Sequence, residues 1–251
     1  MPMQMLDTGG LNPIVAERII PFFREVLDGY PEMIHSLHVV GSAVTPDFRE
    51  KGSVIHSVII LHAIDFDFIQ FIASLGKKFK KKGIAAPLIM TSEYVRDSLD
   101  VFPMEFHDFQ LIHKTVAGED VFRDLEIRKD FLKLQCEREV KVRLIGLRQS
   151  YVSSLGDKRR LAEILSHSIV GCMPLIRAVL YLYDIEPPVK RHEAVKAFHE
   201  LTSVDADIFE RLLQLRSGHI KPSKDELHNI FGHYHAVLEK IEAFIDAIKL
   251  G

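Results

Sequence analysis

The sequence predicts an α+β (α/β) fold: a mixed sheet with flanking helices, followed by an all-α helical bundle. Three observations carry this. Two β-branched runs, "SLHVV" and "SVIHSVIIL", flank a Gly-Ser turn. A helix-patterned segment separates each of the later strand candidates from its predecessor. Beyond about residue 125 the apolar residues recur only at spacings of three and four, the period of a helix.

The elements follow in order. Asn12 before Pro13 is a cap and first-turn pair, and "IVAERIIPFFREVL" continues as a helix containing Pro21. After Pro31 the two strand runs enclose Gly41-Ser42 and the polar loop "TPDFREKG". Asp65 caps "FDFIQFIASLGKKFKKKG", which closes on lysines and Gly83 as helix C-termini do. "AAPLIM" reads as a strand, Thr91 opens a short helix, and "FPMEFHDFQLIH" alternates as a strand that starts at Pro103. "LEIRKDFLKLQCEREVKVRLIGLRQSYV" is one long amphipathic helix, followed by four further apolar-striped segments joined by short polar loops. The expected domains are residues 1–150, with the long helix belonging to the first, and 151–251 for the bundle.

With 47% hydrophobic and 27% charged residues and a mean hydropathy of +0.07, the chain has enough apolar material for sizeable cores. A net charge of −3 provides no global field for nucleic acid or anionic membranes. No apolar run of transmembrane length is read, and "MPMQMLDTGG" has neither a basic start nor an apolar signal core, so the expected location is the cytoplasm. Cys136 and Cys172 stand far apart in helical patterning and are expected to be reduced structural thiols.

The residues "GSAVTPDF", "SVIHSVIIL" and "SLDVFPMEFHDFQ" together resemble the nucleotidyltransferase superfamily of the DNA polymerase beta type, in its small bacterial form. The resemblance covers about residues 30–150, and the tail is similar in kind to the bundles that follow this domain in aminoglycoside nucleotidyltransferases. It implies that Gly41 and Ser42 bind the phosphates of a nucleoside triphosphate. It also implies a strand bearing two carboxylates spaced by two residues, with a third on Glu105. Such carboxylates hold two Mg²⁺ ions that clamp the α-phosphate and activate an attacking hydroxyl.

The sequence departs from that pattern at the decisive place. With Ser53 aligned to the motif serine, the carboxylate positions fall on Val54 and His56. Valine has no donor, and imidazole is a poor ligand for hard Mg²⁺. The acidic motif is degenerate. Asp65 and Asp67 repeat the spacing, but where a helix begins, and capping accounts for them. His56 is expected to be a core histidine facing Val58 and Ile60. The lysines of 77–82 read as a solvated helix end beyond the cleft. His228, His233 and His235 lack a nearby acid at ligand spacing, and the Arg160 and His167 pair, similar to a motif of helical ribonuclease domains, reads as surface packing.

The expectation is a catalytically impaired nucleotidyltransferase-like pseudoenzyme with a nucleotide- or phosphate-binding cleft at Gly41 and Ser42, and with Glu105 and His56 as the candidate catalytic residues. One alternative is an interaction module, antitoxin-like or self-associating through the helical domain to form a homo-oligomer or bind a protein partner. Another is an active, Mg²⁺-using enzyme with relocated carboxylates such as Asp47, Asp108 or Glu105. Membrane and nucleic acid are not expected partners.

Overall fold

The computed structural model describes residues 6–50 and 52–249. Residues 1–5 of the N-terminal stretch read above for a signal, and Lys51 of the polar loop, lie outside the described residues. Contacts divide the chain into two compact units, Met1–Ile127 and Arg128–Gly251.

The first unit opens with α1 (Pro13–Gly29), whose N-cap Asn12 accepts a hydrogen bond from the Ile14 N–H. It continues through β1 (Ile34–Val40), a single 3₁₀ turn (Gly41–Val44), β2 (His56–Leu61), α2 (Phe66–Lys80), β3 (Leu88–Thr91), α3 (Ser92–Asp97), α4 (Pro103–Leu111) and β4 (His113–Gly118). The strand order is β3-β2-β1-β4. β1 runs antiparallel to both β2 and β4, while β2 and β3 are parallel, which makes the sheet mixed. Its two faces differ sharply. Leu37 and Val39 of β1 join Ile59 and Leu61 of β2 in a core with Val15, Ile19, Phe22 and Phe23 of α1 and Phe68 and Ile72 of α2. The alternate residues of the same strands point the other way.

One expectation about this unit is corrected. "FPMEFHDFQLIH" is not a strand: α4 occupies most of it, and β4 starts only at His113. Pro103 takes the first helical turn, Glu105 complements the helix N-terminus, and Pro103, Met104, Phe106 and His107 are buried on a helical spacing rather than alternately. Asp65 does cap α2, accepting from the Asp67 N–H at 2.7 Å, so the pair Asp65 and Asp67 is helix-starting material as read.

The second unit comprises α5 (Lys129–Ser154), α6 (Lys158–Ser168), α7 (Cys172–Leu182), α8 (Arg191–Thr202), α9 (Asp207–Arg216) and α10 (Lys224–Asp246). The long helix α5 packs on α6, α7 and α10. It therefore belongs with the bundle, and the division falls at Ile127/Arg128 rather than near residue 150. The reason is its inner face: Leu132, Cys136, Val140, Leu144 and Leu147 are buried, and periodicity could show that this face exists but not which unit it fills. Among the described residues, Lys158–Leu182 is long and apolar enough to cross a membrane by length and composition alone, which the sequence reading did not register. A turn between Ser168 and Cys172 divides it into α6 and α7. Leu161, Leu165, Leu175, Ile176 and Val179 from it are core residues of the bundle. Cys136 and Cys172 are both free and buried.

Polar fasteners in the bundle are specific. Ser223 and Glu226 form a reciprocal capping box at α10. Arg143 donates to the carbonyls of Ser168 and Val170, and the Tyr234 hydroxyl donates to that of Ser168 at 3.1 Å. Arg177, itself buried, donates to the Val189 carbonyl at 2.9 Å and so anchors the proline-marked loop before α8.

Candidate functional site

The site is assembled by strand register. On the sheet face away from α1 and α2, Val40 stands opposite His56 on one side and His113 on the other. One step along, His38 stands between Val58 and Thr115. Paired residues of antiparallel strands project to the same face, so this surface carries two rows: His56, Val40, His113, and then Val58, His38, Thr115. Val40 leads directly into Gly41 and Ser42.

Gly41 has φ +70°, a conformation that glycine adopts without strain, and an added Cβ there would meet nothing within 4 Å. Its N–H donates to the Ile112 carbonyl at 3.0 Å, which ties the turn to the residue before β4. The Thr45 hydroxyl and N–H both donate to the Ser42 carbonyl. The turn is thus fixed from behind and open in front.

The carboxylate positions of the resemblance lie beside it. Val54 is 43% exposed. His56 opens β2 on the face of Val58 and Ile60, as the spacing requires, but its side chain is exposed at the strand's end rather than sunk in the core. Such desolvation as it has lowers its pKa and favours the neutral ring. Glu105 lies on α4, not on a strand, and is half-buried. The donor set of Val54 and His56 does not suit Mg²⁺, which takes carboxylates, phosphates and water, so no step is built on that ion.

The lysine run is closer to this strand than the sequence suggests. The Ile55 N–H donates to the Gly83 carbonyl at 2.8 Å, and this brings Lys81 and Lys82 to a cavity of about 560 Å³ shared with Arg18, Glu50, Ser53 and Val54. Lys78, in contrast, pairs with Glu25 on α1. The parallel pairing of β2 with β3 creates this proximity, and no local pattern could announce it.

Sequence reasoning missed the polar cluster on β1 and β4. His38 is fully buried, with Ser36 Oγ 2.8 Å from Nε2 and Thr115 Oγ1 3.0 Å from Nδ1. His113 donates from Nδ1 to the Phe109 carbonyl at 2.7 Å, and its Nε2 lies 2.8 Å from Asp120 Oδ1. Phe122 lies against both imidazoles, with ring centroids at 4.8 Å from His38 and 5.5 Å from His113. Burial, reinforced by neighbouring His113, pushes the pKa of His38 down to about 3. Burial opposes ionisation of Asp120, yet His113 and the Phe122 N–H hold its carboxyl below the usual value. The signal available in the sequence was the alternation Ser36, His38 inside an apolar strand, which marks polar groups turned to one face.

The other histidines singled out in the sequence have local partners. His228 bonds to the Tyr151 hydroxyl at 2.8 Å, His233 pairs with Asp205 at 2.9 Å, and His235 receives a hydrogen bond from Arg148. Arg160 reaches the Ser153 carbonyl, while His167 bonds to the Glu163 carbonyl in its own helix.

No family model matches the sequence, and no curated protein matches it. A structural match exists with spectinomycin adenyltransferase AAD(9) from Enterococcus faecialis, solved with ATP and spectinomycin. That match has a TM-score of 0.53 and 11% sequence identity, and it covers 90% of this chain and 98% of that one. The chain therefore has a nucleotidyltransferase-like α+β fold with a helical C-terminal part.

Proposed function

We propose that this chain is a catalytically impaired nucleotidyltransferase-like protein whose Gly41–Ser42 turn binds the phosphate groups of a nucleoside triphosphate. One observation carries the reading: the register sets this open glycine-serine turn beside exposed Val54 and His56, where a metal clamp would need carboxylates. Backbone N–H groups and a hydroxyl at such a turn can hold phosphate oxygens without a metal. Two-metal transfer cannot be assembled from valine and imidazole. The structural neighbour, solved with ATP, supports a nucleotide as the ligand class.

The test is calorimetric titration of nucleoside triphosphates, with and without Mg²⁺, into wild type, Ser42→Ala and a variant with Lys81 and Lys82 changed to Ala. Losing a hydrogen bond to a charged phosphate costs about 1.5–3 kcal/mol, or roughly ten- to a hundredfold in affinity. That loss is expected for Ser42→Ala. If the lysine variant alone loses binding, the ligand sits in the cavity by Arg18 instead. If wild type binds no triphosphate, the interaction-module reading replaces this one.

A further inference from the structure

We propose that His38, His113 and Asp120 form a binding site for a divalent transition-metal ion of the Zn²⁺ class, on the same sheet face as the glycine-serine turn. Each offers one donor atom, and the three donors lie within 4.8 Å of one another. No other group of three or more such residues occurs among the described residues. Two imidazoles and one carboxylate suit Zn²⁺ and its first-row neighbours rather than Mg²⁺ or Ca²⁺.

What separates this cluster from a chance meeting of polar residues is the layer behind it. A ligating histidine characteristically gives its other ring N–H to a fixed acceptor, which sets the tautomer and aims the lone pair. His113 Nδ1 does this with the Phe109 carbonyl, leaving Nε2 directed at Asp120. His38 is held from both ends by hydroxyls, and a hydroxyl can turn to accept from one nitrogen while the other is released to a metal. Asp120 is steadied by the N–H groups of Phe122 and Arg123, each at 3.2 Å. The Phe122 ring packs against both imidazoles in edge-to-face contacts.

His113 Nε2 and Asp120 Oδ1 already face each other at 2.8 Å, so an ion between them would replace one contact by two bonds, and His38 would exchange one hydroxyl contact for the third. Donor atoms in a tetrahedral site with bonds of about 2.0–2.1 Å stand ~3.3 Å apart, so His113 and Asp120, now 2.8 Å apart, must open to admit the ion while the wider separations, up to 4.8 Å, must close. Access from the His113 and Asp120 side comes from a cavity of about 660 Å³ lined by His113, Thr115, Asp120 and Arg123.

This inference does not rest on nucleotide binding. The full chain, stripped with chelator, is titrated with Co²⁺ and with Zn²⁺, followed by visible absorption and thermal melting. One equivalent per chain is expected, with a melting temperature raised by Zn²⁺ and restored by chelator. Asp120→Asn and His113→Gln should each weaken uptake more than about tenfold, while a variant with His233 and His235 changed to Ala should bind as wild type does. Because the core variants could unfold, X-ray absorption of zinc-loaded wild type provides an independent reading, with two imidazoles and one carboxylate expected in the first shell. Failure of wild type to take up either ion at stoichiometric level, uptake unchanged in both folded variants, or a spectrum with a different imidazole count would overturn the proposal.

Discussion

At the scale of single residues, the β1–β4 junction has little tolerance. Gly118 has φ +76°, and an added Cβ would lie 2.0 Å from the His35 carbonyl oxygen and 2.8 Å from Ser36 Cα. Both obstacles are backbone or close to it, so the strand itself must move. Left-handed strain and overlap each cost about 1–3 kcal/mol, and Gly118→Ala should destabilise by roughly 2–5 kcal/mol in a denaturant melt. A loss under about 1 kcal/mol would show that β4 can slide. His38 makes a second prediction, for the metal-free protein. Its folded pKa of about 3 lies below the unfolded value near 6.5, so the unfolded chain takes up the proton first. The stability from a neutral His38 is fully present above about pH 6.5 and is lost as pH falls toward 3. The facing groups are His113, Asp120 and His35, and Asp120, its own pKa lowered, adds a separate loss near and below pH 4. Chemical denaturation across pH 3–8 should therefore show a flatter acid limb for His38→Gln than for wild type; parallel limbs would mean that His38 is solvated.

At the scale of elements, legibility followed how much each segment depended on its own pattern. α1, α2 and the capping residues Asn12 and Asp65 were plain in the sequence because cap, first turn and stripe are local signals. β1 and β2 were plain because β-branched residues bounded by turn residues have few other uses. α4 was misread since "FPMEFHDFQ" alternates by accident, while its real determinant is Pro103 at the first turn. His113 and Asp120 were invisible as partners of His38: 75 or more residues separate them from it (113 − 38 = 75), and only the β1–β4 pairing unites them. The same holds for Lys81 and Lys82 beside Val54. Among element-level forces the α10 capping box is the simplest to test. Ser223→Ala removes the acceptor for the Glu226 N–H and should cost about 1 kcal/mol, read as a lowered denaturation midpoint with unchanged slope. No shift would mean that Glu226 alone holds the helix start.

At the scale of the molecule, the nucleotidyltransferase-like fold was foreseeable from a turn and a few strands, and the proposed impairment rests on the residues one of those strands carries. The fold provides the glycine-serine turn at the end of β1 and puts β2 beside it. The sequence then fills the clamp positions with Val54 and His56. Exposure leads to one further expectation: limited proteolysis should cut first in exposed connections such as the turn after α5, where Leu155 is 88% exposed, and spare β2, whose Val58, Ile59 and Ile60 are fully buried. Early cleavage within β2 would contradict the fold. The central claim, a phosphate-binding cleft without two-metal transfer, is tested most directly by incubating the pure chain with labelled nucleoside triphosphates, Mg²⁺ and a panel of hydroxyl-bearing acceptors. The account predicts bound triphosphate and no nucleotidyl product. Turnover of about one per second or faster, retained in Glu105→Ala, would contradict it.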